Sequence, residues 1–78
     1  MSSKPATVID AAIAANLAAL TERLATATHR AREASQAMAN RRIDLAIGTL
    51  LMIEEMLPEA QALFSAILAL HRGNRGAR

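Results

Sequence analysis

From Ile13 onward the apolar positions advance in alternating steps of four and three: Ile13, Leu17, Leu20, Leu24, Ala27, Ala31, Ala34 and Met38. This spacing keeps all eight on one seam of a helix wound to ~3.5 residues per turn, as in a coiled coil. A second stretch repeats the pattern with Ile43, Ala46, Leu50, Ile53, Leu57, Ala60, Phe64 and Ile67. The intervening "ANRR" predicts a turn at about residues 40–42. Asn40 tolerates the left-handed conformation of a helix C-cap, and Arg41 and Arg42 suit the negative end of the preceding helix dipole. So short a turn makes the two helices antiparallel neighbours.

The predicted organisation is a flexible N-terminus over 1–6, a helical hairpin over 7–72 and a flexible basic tail over 73–78. Helix 1 covers about 7–39 and helix 2 about 43–72. Thr7 and Asp10 form a relative of the Ser/Thr-x-x-Glu capping box at the start of helix 1. Gly73 follows Arg72 as a natural C-terminal cap. Pro58 interrupts helix 2, because an interior proline forfeits a hydrogen bond and collides with the preceding turn. The seam keeps its phase across Pro58, which favours one helix kinked there; two shorter helices are the alternative.

The two arms are unequal. Fourteen bulky apolar residues lie between Ile43 and Leu70, against seven between Val8 and Met38. Folding about residue 41 sets the bulky half of helix 2 beside the Ala-rich half of helix 1, large against small. Even so, Leu45, Ile47, Leu51, Met52, Met56 and Leu63 exceed what one neighbouring helix can shelter, and each is worth ~1.5–3 kcal/mol when buried. The fold class expected is therefore all-α: an antiparallel hairpin of two long helices, assembling as a homodimeric four-helix bundle with those six residues in the oligomer interface.

Composition sharpens this picture. At 78 residues the chain holds one domain whose core is marginal alone, and the absence of Cys removes disulfides as a supplement. With only His29 and His71, a structural metal is not expected either. Asp10 and Asn16 interrupt the stretch that would serve as a secretory core, and no apolar run reaches membrane-spanning length, so a cytoplasmic protein without a membrane role is expected. Nine basic residues against seven acidic leave +2, too little to imply nucleic acid by itself.

The candidate chemistry is sparse. Glu54, Glu55 and Glu59 lack the Glu-x-x-His pairs of a di-iron bundle and read as a solvated patch, with His29 a surface histidine. Ser35 and Ser65 have no His at helical reach, and no Gly-rich phosphate loop occurs, so an enzyme is not expected and no cofactor is implied. Asp10 has two candidate roles, N-capping or an exposed pairing with His71 and Arg72. Arg41 and Arg42 at the turn, with Arg72, Arg75 and Arg78 at the other end, are the candidate anion contacts. Glu33 and Asp44 dilute the turn cluster, and no aromatic residue is placed to stack bases. The expected function is a non-enzymatic oligomeric scaffold, adaptor or regulator acting through contacts with itself and a protein partner. The competing reading is a nucleic-acid-binding regulator using the Arg-rich ends.

Overall fold

A computed structural model describes residues 7–76, and the side chains of residues 7–73. Residues 1–6 and 77–78 of the segments expected to be flexible lie outside the described residues, whereas 73–76, expected in the flexible tail, continue the last helix. α1 runs over Val8–Ala39, α2 over Ile43–Leu51 and α3 over Met56–Gly76. No strand occurs among the described residues. α1 packs against both α2 and α3, which together form the second arm of an all-α hairpin.

The capping box is present in full. The Asp10 amide donates to Thr7 Oγ1 at 3.0 Å, and the Thr7 amide donates to Asp10 Oδ2 at 3.4 Å. Two of the four unpaired donors at the helix start are thereby satisfied. Of its two candidate roles, Asp10 takes N-capping; among the described residues no ion pair joins it to His71 or Arg72.

The turn corrects the expectation at Asn40. Asn40 sits at φ −93°, ψ 11°, and the left-handed residue is Arg41, at φ 61°. The Arg42 amide donates to Ala37 O at 2.8 Å and the Arg41 amide to Met38 O at 2.9 Å. These two bonds define a Schellman motif, in which the residue after the C-cap must be left-handed. Asn40 is itself the C-cap, so the strained position passes to Arg41. At the far end, α3 continues through Gly73 to Gly76, so the expected cap there is also corrected. No described glycine has a positive φ, and Gly73 simply remains in the helix.

The second arm is interrupted rather than kinked. α2 stops at Leu51, and residues 52–55 form a turn before α3 begins. Within it the amides of Met52, Ile53, Glu54 and Met56 each donate three residues back, at 2.8–3.1 Å. The cause is Pro58: its ring would strike the carbonyl of Glu54, so α-helical bonding gives way just upstream. Pro58 itself then falls in the first turn of α3, where no amide partner is needed. The turn keeps the right-handed helical sense, so Ile53 within it and Ala60 and Ile67 beyond it stay on the side that faces α1, and the apolar phase survives the break.

What packs between the arms differs from the expected seam. The buried residues are Ala34, Ala37, Ala46 and Ile53. Around them, Ile9, Ala12, Ile13, Asn16, Ala19, Leu20, Ala27 and Arg30 of α1 are half-buried, as are Thr49, Met56, Ala60, Leu63, Ala66, Ile67 and Leu70. Ile13, Leu20, Ala27 and Ala34 lie on this line as expected, and so do Ala46, Ile53, Ala60 and Ile67. The alternate residues of each column do not. Near the turn, small meets small: Ala34, Ala37 and Ala46 form one cluster. Alanines let the helices approach closely, and that approach pushes the bulky side chains of α2 to the flanks.

Candidate interaction face

On α1, Leu17, Leu24, Ala31 and Met38 fall one step to one side of the Ile13–Leu20–Ala27–Ala34 line. Asn16, Arg23, Arg30 and Ala37 fall one step to the other. The second arm divides the same way, with Ile43, Leu50, Leu57 and Phe64 on the first side and Thr49, Met56, Leu63 and Leu70 on the second. A shallow groove between the arms confirms which columns share a face, being lined by Leu20, Leu24, Leu57, Ala60, Gln61 and Phe64.

The hairpin thus has one apolar face and one polar face. On the apolar side Leu17, Leu24, Met38, Ile43, Leu50, Leu57 and Phe64 are about half exposed, with Ile47 and Leu68 at the margin. Its α1 margin is the small, uncharged column Ala14, Thr21, Thr28 and Ser35. Continuing the two central columns outward by one repeat reaches Asp10 on α1 and His71 on α3, both at the end remote from the turn.

The polar side carries the ion pairs. Arg23 Nε meets Glu59 Oε1 at 2.9 Å across the arms, and the two residues are equally distant in sequence from Arg41. Exposed as it is, the pair is worth ~0–1 kcal/mol and acts mainly on register. Arg30 Nη1 donates to Glu33 Oε1 at 2.9 Å while His29 Nε2 lies 3.4 Å from Glu33 Oε2. The Arg30 stem lies along the seam, leaving its Nε buried without a partner. A second hollow on this side is lined by Glu33, Gln36, Ala37, Asn40, Arg42 and Leu45.

The six residues expected in an oligomer interface do not share one face. Ile47 borders the apolar side. Leu45 and Met52 border the polar side, and Leu51 points away from α1; all four are about half exposed. Met56 and Leu63 are half-buried between the arms. The more continuous surface is made by residues read from sequence as intra-hairpin seam. Their repeat of seven on each arm is the signal that could have found them.

Of the candidate anion contacts, Arg41 and Arg42 are exposed side by side at the turn, and Arg72 is exposed near the other end of a molecule 56 Å long. The side chains of Arg75 and Arg78 lie outside the described residues. Among the described residues no three His, Asp or Glu side chains gather as a metal site, and no helix is long and apolar enough to cross a membrane. Comparison of the chain with protein-family models, curated proteins and solved structures gave no match.

Proposed function

We propose that the protein is a non-enzymatic oligomeric scaffold, adaptor or regulator, built as a homodimeric four-helix bundle in which a second copy covers the apolar face. The observation that carries this reading is the single layer of helices. The molecule measures 56 × 28 × 12 Å, and 12 Å is the thickness of one helix. Its radius of gyration is 17.7 Å, where a compact domain of this length has about 11.5 Å. Its accessible surface is 6062 Å², where a compact monomer has about 4,600 Å². A layer this thin shelters side chains only along the line where its two helices touch.

Face-to-face pairing supplies the missing second layer. A 56 × 28 Å face is ample for the ~800 Å² per partner that a stable interface takes. Leu45, Leu51 and Met52 stay outside such a pair and offer a small apolar patch to a further protein partner.

Multi-angle light scattering on a sizing column tests the reading. The expected mass is two chains, Leu57→Lys halves it, and Met52→Lys on the other side leaves it unchanged. A monomeric wild type at micromolar concentration, or dissociation by Met52→Lys but not by Leu57→Lys, overturns it.

A further inference from the structure

Two face-to-face arrangements close such a pair. A two-fold axis along the helices puts both turns at the same end and lays each α1 on the partner's second arm. An axis across the helices puts the turns at opposite ends and lays α1 on α1 and second arm on second arm. We propose that the second copy docks in the first arrangement, with the turns together. This inference rests on the pairwise assembly proposed above.

Side-chain size favours it. The margin of α1 is small throughout, with Ala14, Thr21, Thr28 and Ser35, whereas the margin of the second arm carries the longer Ile47, Glu54, Gln61 and Leu68. Same-end docking sets the large margin of each copy over the small margin of the other. Opposite-end docking would prop the bundle apart along one edge and leave the other edge slack. The same alternation holds in the one central layer whose two residues differ widely in size. Ala31 lies level with Leu50, so same-end pairing arranges small, large, small, large around the bundle, and the side chains interdigitate.

Charge points the same way. The central columns carry no charged group between Asp10 at one limit and His71 at the other. With the turns together, Asp10 of each copy lies level with His71 of its partner, acid beside base in the open end layer. With the turns apart and the faces fully overlapped, Asp10 comes level with the partner's Met38 and Ile43, which replaces water with apolar side chains around a carboxylate whose cap bond from the Thr7 amide is a long 3.4 Å.

The chain has no Cys, so a single substitution gives a unique site for a nitroxide label. Ala39→Cys at the turn and Ala25→Cys at mid-height both lie at exposed positions. Electron-electron distance measurements on each labelled dimer, with the mass recorded in parallel, separate the arrangements. Same-end docking gives separations below about 30 Å at both sites, because the labels differ only by the width of the bundle. A short separation at Ala25 with one of ~45 Å at Ala39, the span set by the helical rise, overturns the orientation and leaves the pair intact. A monomeric mass with no measurable separation at either site overturns the pair and the orientation with it.

Discussion

Arg41→Gly is expected to stabilise the protein, although it removes a charged side chain from a turn. Arg41 holds φ at 61°, where an L-residue is worse off by ~1–2 kcal/mol than in the right-handed region. Glycine removes that strain and keeps both backbone bonds of the motif, from the amides of residues 41 and 42 to Met38 O and Ala37 O. Against this, glycine gives the unfolded chain more freedom, a loss of ~0.5–1 kcal/mol. The net gain is on the order of 0.5–1 kcal/mol, which raises Tm by roughly 3–6 °C in a chain of this length. Thermal and urea unfolding followed by circular dichroism at fixed protein concentration measure it, the concentration being held because the proposed self-association would add to apparent stability. Arg41→Ala is the control, losing the guanidinium but keeping the strained φ, and should leave stability nearly unchanged. Equal midpoints for the glycine and alanine variants would refute the conformational argument.

Gly48 lies inside α2, and a Cβ built there meets nothing within 4 Å, so Gly48→Ala should stabilise by about 0.5–1 kcal/mol. A fall in the unfolding midpoint would show that the position is not free. Thr7→Ala breaks the capping box and should cost about 1 kcal/mol, visible as faster amide exchange confined to the first turn of α1. Ala46 is only 3% exposed in the alanine cluster beside the turn, and Ala46→Leu should destabilise by about 1–3 kcal/mol through overpacking. A neutral result in urea titration would mean that the helices can separate there without penalty.

Particular residues show what the sequence makes legible. Thr7 and Asp10 act within one helical turn, and their pairing follows from spacing alone. The hairpin follows equally from two apolar repeats with a three-residue interruption. Pro58 shows the limit: an unbroken seam cannot report helix continuity, because the tight turn at 52–55 restores the phase that the break removes. The alternative of two shorter helices is the one the backbone adopts. Arg41 shows another limit, since the left-handed residue is fixed by where the last helical bond closes, one position beyond the residue type best suited to it. The exposed apolar face was harder still. Surplus bulk on the second arm correctly signals unsatisfied apolar area, but the choice of residues depends on the rotation of each arm about its axis. Ala34, Ala37 and Ala46 set that rotation by close approach, turning Leu50, Leu57 and Phe64 outward while Met56 and Leu63 are drawn in.

The alternating step of four and three therefore carries more information than a seam. In a pair of helices only one residue of each step can point at the neighbour, because a two-helix contact is a line and the two columns flank it unequally. The other column needs a second layer. A chain that keeps both columns apolar over the length of both arms, and then gives half of the inter-arm line to alanine, leaves much of its apolar bulk where the hairpin alone cannot use it. Burial of Ala34, Ala37 and Ala46 contributes far less than burial of leucine or phenylalanine would. Leu24, Leu50, Leu57 and Phe64 hold the larger potential stabilisation, which the proposed second layer would release. Under the proposed pairing, folding and assembly of this chain are one event, with the hairpin fixing which side chains meet and the second copy supplying most of the energy that holds them.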